Sequence, residues 1–270
     1  MKLALAQVAT LNAPFAADLE DYAAAKCPAI EIWFGKLETY LESHSVDDVR
    51  RLLETHEIEA PVASFQGGLF VARDDARREA WDLLARRLEL CQQLAVRTMV
   101  VVADLVSSHS QNDFDRLLTL LRQAAEAVEQ HDVRLAIEFQ SSALFCNNLQ
   151  TVLTLVDQVG SHHLGICFDM FHYQTGPSKP EDLTGLTAEN LVHVQLSDVA
   201  GTPRELATDA DRVLPGDGDF VFEPVLQHLE NIQYAGHISV ELMNPRIWQI
   251  PPLSYAEIAM TALRKLLGLT

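Results

Sequence analysis

The sequence contains few cysteines, and none of them belongs to a paired motif. The four, Cys27, Cys91, Cys146 and Cys167, are scattered singly along 270 residues. A CxxC redox motif or a zinc site built from cysteine pairs is therefore absent. Isolated thiols are typical of proteins kept in a reducing compartment, so we expect a cytoplasmic protein.

Basic residues and long apolar runs are also scarce. The chain has 20 lysines and arginines against 38 acidic residues, a formal net charge of −18, and such a surface repels nucleic acids on average. No run reaches the roughly 18 apolar residues that a membrane helix needs. We expect the N-terminal segment MKLALAQVAT to be a first strand and not a signal peptide, because Gln7 interrupts its apolar run and no clear cleavage site follows. We predict neither a nucleic-acid nor a membrane partner.

What the sequence does contain is a regular alternation of short apolar runs and longer amphipathic segments. The runs are rich in β-branched residues and predict eight strands, at 2–7, 29–34, 61–66, 97–104, 134–140, 164–169, 191–198 and 237–243. Helical spacing of apolar residues occurs between them, at 45–57, 75–95, 113–131 and 254–268. Ser45 and Asp113 are candidate N-terminal caps of two of these helices.

Eight strand–helix units predict an α/β fold, the (β/α)₈ TIM barrel. Strands that are apolar on both faces are typical of a parallel sheet covered by helices. An open dinucleotide-binding sheet would need a glycine-rich turn after the first strand, and QVATLNAPF lacks one. No linker rich in Pro, Gly or Ser divides the chain, and the longest irregular stretch is 199–220. We expect residues 1–270 to form a single domain.

Residue types that bind metals stand at the ends of four consecutive predicted strands: Glu138, Asp169, Gln195 and Glu241. Active sites of such barrels lie at this end of the strands. Three carboxylates buried together are very unfavourable without a cation, and carboxylate and amide oxygens suit a hard ion, Mg²⁺ or Mn²⁺. Because side chains alternate along a strand, His193 also points inward, about 6–7 Å below Gln195. We expect Gln195 to bind the metal and His193 to be a core residue or to orient a ligand.

The C-terminal half of the sequence resembles the sugar phosphate isomerase/epimerase superfamily, whose members have a xylose isomerase-like TIM barrel. The similar segments are AIEFQ, GICFDMFHY, LVHVQLSD, DRVLPGDGDF and ISVELMNP. The N-terminal half matches only in its alternation of strands and helices. The resemblance places the metal carboxylates at Glu138, Asp169 and Glu241. Many members have a histidine where Gln195 stands, but those similar to hydroxypyruvate isomerase and to some 3-dehydroshikimate dehydratases also carry HVQ.

Two further residues are assigned by the same resemblance. His172 lies three residues after Asp169, in the DxxH spacing of the family, and Arg212 lies before PGDG. The resemblance implies that both bind the substrate and that neither binds the metal. The family is often dimeric, so a homodimer is expected.

This set of residues predicts an isomerase or epimerase that depends on one divalent cation. A metal chelated by a carbonyl and its neighbouring hydroxyl acidifies the carbon-bound hydrogen between them. We expect Glu138 and Glu241 to form the catalytic pair, one removing that proton to give an enediolate and the other returning a proton. Mg²⁺ or Mn²⁺ is favoured, and Co²⁺ or Zn²⁺ would also fit. The predicted substrate is a small keto-sugar or hydroxy-keto acid.

Two alternatives stay open at this point, and a third is disfavoured. The same chemistry with loss of a β-hydroxyl gives a dehydratase for 3-dehydroshikimate or an inosose, and a barrel without activity would be a sugar-binding protein. Related DNA-repair endonucleases need a histidine two residues after an aspartate, but Val213 follows Asp211 here. Acidic residues surround Arg212, which disfavours a phosphate dianion and favours an unphosphorylated substrate.

Overall fold

The predicted barrel is present in the computed structural model, which describes residues 1–70, 74–103 and 110–269. The strands in these ranges are β1 Lys2–Ala6, β2 Ala29–Trp33, β3 Glu59–Gln66, β4 Thr98–Val102, β5 Arg134–Glu138, β6 Leu164–Asp169, β7 Leu191–Leu196, β8 Asp198–Val199, β9 Arg212–Val213 and β10 His237–Val240. Eight of them close into a parallel barrel in the order β1–β10–β7–β6–β5–β4–β3–β2. The prediction of a TIM barrel is confirmed.

Helices cover the outside of the barrel. Those in the described ranges are α1 Phe15–Ala24, α2 Phe34–Leu41, α3 Val46–His56, α4 Asp74–Gln93, α5 Gln111–Glu129, α6 Leu149–Val159, α7 Met170–Thr175, α8 Glu223–Asn231 and α9 Pro252–Leu266. None of these helices is long and apolar enough to cross a membrane.

The strands are buried on both faces, as their continuous apolar runs predict. All five residues of β4 and all six of β6 are buried. Inside the barrel, Val62, Val100, Ala136 and Cys167 form a small apolar cluster. Burying a valine- or leucine-sized side chain contributes about 1.5–3 kcal/mol. This core holds the strand ends above it in fixed positions.

One of the two predicted helix caps is confirmed and the other is wrong. Ser45 caps α3, because its Oγ accepts the Asp48 N–H at 3.2 Å and Asp48 accepts the Ser45 N–H at 2.7 Å. Asp113 is not the cap of α5. Ser110 occupies that position, and Asp113 accepts its N–H at 2.9 Å from three residues further on. The helix begins earlier than predicted because Ser110 at the N-cap and Asp113 three residues further on form a capping box.

The predicted irregular stretch 199–220 contains a short antiparallel ribbon. Its two strands, β8 and β9, pair Asp198 with Val213 and Val199 with Arg212. The ribbon folds the chain after β7 back toward the barrel axis and so brings Arg212 over the barrel mouth. The predicted seventh strand, 191–198, is therefore interrupted after Leu196.

The strands end close to the predicted metal-binding residues. Glu138 and Asp169 are the last residues of β5 and β6, Gln195 lies in β7, and Glu241 follows β10 directly. Asp169 is paired with Gln195, and Gln195 with Ser239. The predicted fourth strand extends to residue 104, which lies outside the described residues.

Candidate active site and metal centre

A cavity of about 100 Å³ opens at the carboxyl ends of the barrel strands. Five predicted site residues line it: Glu138, His172, Gln195, Arg212 and Glu241. Asp169, the sixth, is completely buried beside them and contacts Arg212. The structure therefore brings all six together.

Arg212 ties two of the predicted metal carboxylates together. Its Nη2 donates to Asp169 Oδ2 at 2.7 Å and its Nη1 donates to Glu241 Oε2 at 3.1 Å. Its Nε donates to Asp209 Oδ1 at 2.9 Å, and the guanidinium lies 4.3 Å from the centre of the Phe171 ring. Burial alone would lower the pKa of this guanidinium, but the carboxylates of Asp169, Glu241 and Asp209 raise it. Arg212 is thus a permanent positive charge inside the site.

The carboxylates are in a poorly solvated environment. Burial, reinforced by the charge of Asp169, raises the pKa of Glu138 to about 8 although Arg212 opposes this. Burial also raises the pKa of Glu241 well above its usual range, and Glu138 and Asp169 add to the effect. Both shifts have the same main physical cause: burial removes the water that would stabilise the charged form, and Arg212 offsets this only in part.

The donor set fits a divalent cation. Glu138, Asp169 and His172 each offer a ligand atom, and these atoms lie within 4.8 Å of one another. Glu241 adds a third carboxylate, which accepts a hydrogen bond from Arg212. Three buried carboxylates face one guanidinium, so a doubly charged ion would balance the site. Oxygen donors of this kind are those that hard cations prefer.

Both ring nitrogens of His172 contact the protein. Arg212 Nη2 lies 3.4 Å from Nε2 and can only donate, so Nε2 accepts, and Nδ1 lies 3.1 Å from Ser141 Oγ. Burial lowers the pKa of His172 to about 4, so the ring is neutral at pH 7. Because Nε2 already accepts from the positively charged Arg212, this nitrogen is poorly placed to bind a cation. This arrangement favours the substrate-binding role over a ligand role for His172.

The side chain of Gln195 points into the site, as predicted, but its amide nitrogen is the end that faces the carboxylates. Its Nε2 donates to Glu241 Oε1 at 3.0 Å and to Glu31 Oε1 at 2.8 Å. Its Oε1 accepts from the thiol of Cys167 at 3.0 Å. Binding a cation through Oε1 therefore requires the amide to turn by half a revolution, which a cation beside Glu241 would favour.

His193 lies one layer deeper, as the alternation along the strand predicts. It is completely buried, and its Nε2 donates to Glu31 Oε2 at 2.9 Å and to Ser239 Oγ at 3.0 Å. No described residue is hydrogen-bonded to its Nδ1. His193 therefore holds Glu31, and Glu31 in turn holds the amide of Gln195.

Glu31 is a buried acid that sequence reasoning missed. Its two oxygens accept from Gln195, His193, Ser239 and Ser64. Burial alone would raise the pKa of Glu31, but the charge and hydrogen bond of His193 and the two serine hydroxyls hold it below its usual value. The signal was a single glutamate in the middle of the apolar strand AIEIW. Because its oxygens are already saturated with donors, Glu31 is suited to orient Gln195.

Three further side chains line the cavity but are not among the predicted site residues. Gln140 donates to Glu138 Oε2 at 3.2 Å and holds that carboxylate. Trp33 and Phe65 stack with ring centres 5.2 Å apart and form an apolar wall on the side of β2 and β3. The site therefore has one charged side and one aromatic side.

Comparison with known proteins agrees with this fold. The family described as the xylose isomerase-like TIM barrel matches residues 19–266. An inosose isomerase of Halalkalibacterium halodurans is 28% identical over 257 residues, which are 93% of this chain and 90% of that protein. An inosose isomerase of Bacillus velezensis is 29% identical over 259 residues, 93% of this chain and 91% of that protein. The crystal structure of an IolI protein with a bound zinc atom superposes with a TM-score of 0.93 at 23% identity and covers 99% of this chain and 98% of that one.

Proposed function

The chain belongs to the xylose isomerase-like TIM barrel family, and from this premise we propose that it is an isomerase or epimerase that depends on a divalent cation. Its substrate is a small keto-sugar or hydroxy-keto acid without a phosphate group. The observation that carries the proposal is the convergence of Glu138, Asp169 and Glu241, each at most 6% exposed, around the guanidinium of Arg212.

Four residues would hold the cation. They are the carboxylates Glu138, Asp169 and Glu241, together with Gln195 through its carbonyl oxygen. Mg²⁺ or Mn²⁺ suits three carboxylates and an amide, and the zinc bound by the similar IolI protein makes Zn²⁺ a second candidate. When bound, such a cation polarises a carbonyl oxygen and stabilises the negative charge that develops there.

Glu138 and Glu241 move the proton. Both line the cavity, and each is held from the side: Glu138 by Gln140, and Glu241 by Gln195 and Arg212. One removes a proton from the carbon beside the substrate carbonyl, and the other delivers a proton to the neighbouring carbon or to the opposite face of the same carbon. The first outcome is isomerisation and the second is epimerisation.

His172 and Arg212 bind and orient the substrate. Arg212 Nη2 and His172 Nε2 lie 3.4 Å apart and both residues line the cavity, so the guanidinium can donate to a substrate oxygen and the imidazole can accept from a substrate hydroxyl. Arg212 also approaches Glu241, so a substrate that it holds lies beside one of the two proton-transferring groups. Such positioning is a major source of rate acceleration.

The shape and charge of the site indicate the substrate class. Asp209 shares the guanidinium of Arg212 and lines the cavity, which disfavours a phosphate dianion. Trp33 and Phe65 offer an apolar wall to the carbon–hydrogen face of a polyol. The two inosose isomerases among the relatives add support for a cyclic polyol ketone, so an inosose is the first substrate to test.

The proposal can be tested by NMR with the metal-loaded protein. The panel contains inososes, ketohexoses, their phosphates, hydroxypyruvate and 3-dehydroshikimate. We expect conversion of an unphosphorylated ketone to an isomer or epimer of the same mass, abolished by EDTA and restored by Mg²⁺ or Mn²⁺. A product lighter by one water would indicate a dehydratase, and no conversion of any member with any of four divalent metals would overturn the proposal.

The pair His193 and Gln195 gives a prediction about metal preference and stability. Gln195→His replaces an amide oxygen by a softer nitrogen, so the metal preference for activity should move from Mg²⁺ and Mn²⁺ towards Co²⁺ and Zn²⁺. His193→Gln should keep the metal but lower the free energy of unfolding by about 1–3 kcal/mol, because the buried Glu31 loses a donor. Activity across the four metals and urea unfolding measure the two effects, with the exposed His162→Gln as control. An unchanged metal profile in Gln195→His, together with loss of metal in His193→Gln, would show that His193 is the ligand.

A further inference from the structure

We propose that Asp198 is the positioning residue for Arg212. It lies at the end of LVHVQLSD and is completely buried, but it does not line the cavity that contains the site. Its carboxylate accepts hydrogen bonds from the segment 216–220, in the second half of the loop that follows β7. The same loop places Arg212 at the barrel mouth.

The side chain of Asp198 accepts four backbone N–H groups. Oδ1 accepts from Val199 at 2.8 Å and Phe220 at 2.9 Å, and Oδ2 accepts from Gly216 at 3.1 Å and Gly218 at 2.9 Å. Three of these donors come from a segment about twenty residues further along the chain. A carboxylate can accept bonds of this kind with both oxygens, whereas asparagine would present N–H groups to N–H groups on one side.

The segment 214–220 is shaped to fit this carboxylate. Asp217 N–H donates to Leu214 O at 3.0 Å, and Gly216 between them has φ +88°, so Pro215–Gly216 forms the centre of a type II turn. A Cβ atom at Gly218 would lie 2.4 Å from Asp198 Oδ1 and 2.4 Å from the carbonyl oxygen of Val199. Glycine is therefore required at 218 because the backbone passes directly over Asp198.

Arg212 belongs to the same two-stranded ribbon as Asp198. Asp198 and Val199 form β8, and Val199 is paired with Arg212 in β9. The carbonyl oxygen of Arg212 also accepts from Asn244 at 2.9 Å. With its backbone fixed on both sides, the side chain is directed inward to Asp169 and Glu241 and is only 1% exposed. The catalytic consequence of this placement rests on the proposed function, but the placement itself does not.

The experiment measures access to the Arg212 guanidinium by phenylglyoxal labelling and peptide mass spectrometry. In the wild type, Arg212 should be protected. In Asp198→Asn, its labelling rate should rise by about tenfold or more, because labelling of a buried group follows the population of the opened loop. Asp217→Asn makes the same charge change on an exposed residue of this loop and should leave Arg212 protected.

Gly218→Ala provides a second variant that keeps the carboxylate. It displaces the backbone from Asp198 and should expose Arg212 in the same way, which keeps the test decisive if Asp198→Asn does not fold. The variants are compared only if they have a native circular dichroism spectrum. If Arg212 is as protected in them as in the wild type, the proposal is overturned. Increased labelling in Asp217→Asn equal to that in Asp198→Asn would also overturn it, since the effect would then be one of loop charge.

A kinetic arm separates positioning from general damage. With a substrate from the NMR panel, Asp198→Asn should lower kcat, and the double variant Asp198→Asn/Arg212→Met should be no slower than Arg212→Met alone. Additive losses would contradict action through Arg212. If no substrate is turned over by the wild type, the proposed function fails, whereas the labelling result still decides the role of Asp198.

Discussion

Glu138→Gln is expected to remove both metal binding and turnover. The substitution keeps the size of the side chain but deletes one of three charges that converge beside Arg212. Loss of a group that merely orients a ligand costs about 10–100-fold in metal affinity, so loss of a ligand should cost at least about 100-fold. Loss of a proton-transferring group adds a factor of about 10²–10⁴ in rate at saturating metal.

Calorimetry with Mn²⁺, elemental analysis and single-turnover kinetics measure these effects. Asp169→Asn should lose metal affinity to a similar extent, because Asp169 is the other fully buried carboxylate of the donor set. Glu257→Gln makes the same change on an exposed face of α9 and should behave as the wild type. Wild-type stoichiometry and affinity in both Glu138→Gln and Asp169→Asn would rule out the assigned site.

Arg212→Ala is expected to retain the cation and to lose turnover. The guanidinium neutralises Asp169 and Glu241 from inside the site, so its removal leaves buried carboxylates without their partner. Breaking a buried pair in this way costs about 3–5 kcal/mol of unfolding free energy. A divalent cation should restore much of this loss, so the variant should be stabilised by Mg²⁺ more than the wild type is.

Urea unfolding in EDTA and in Mg²⁺, with metal calorimetry and kinetics, tests this expectation. Arg204→Ala removes an exposed arginine from the same loop and should change neither stability nor rate. His172→Ala should likewise keep the metal and lose turnover, because the imidazole orients the substrate and does not bind the cation. If either Arg212→Ala or His172→Ala fails to bind metal while folded, the substrate-binding role of that residue is wrong.

The parts of the site that follow from local periodicity could be predicted from the sequence. Alternation along the strand correctly placed His193 with Gln195 on the inner face of the barrel. The parallel arrangement of the strands then places the ends of four strands at the same mouth of the barrel. These inferences need only the two-residue repeat of a strand and the geometry of a parallel barrel.

The parts that depend on contacts between distant segments could not be predicted. Glu31 is bonded to His193 and Ser239, which are 162 and 208 residues away. Its place in the middle of a strand looks like any single polar residue until the register of β2 against the rest of the barrel is known. Asp198 is a similar case, because its partners lie beyond a loop whose ribbon has only two residues in each strand.

The orientation of Gln195 also required the structure. The sequence places an amide at the mouth of the barrel, but the two ends of an amide differ in chemistry and are chosen by their neighbours. Glu31 and Glu241 attract the nitrogen, and the thiol of Cys167 occupies the oxygen. Glu31 and the cation therefore compete for the side chain at position 195. The metal preference of Gln195→His tests this competition.

The most direct test of the account is solvent hydrogen exchange at the carbon beside the substrate carbonyl. The Mn²⁺- or Mg²⁺-loaded protein is incubated in D₂O with an inosose or with the best substrate of the panel, and the products are followed by NMR and mass spectrometry. We expect deuterium in the product at the carbon that receives the proton, which is the former carbonyl carbon after isomerisation and the same carbon after epimerisation. Its rate of incorporation should fall by about 10²–10⁴-fold in Glu138→Gln or Glu241→Gln. Conversion without any deuterium from solvent, or exchange that is as fast in both variants as in the wild type, would contradict proton transfer by this pair of carboxylates.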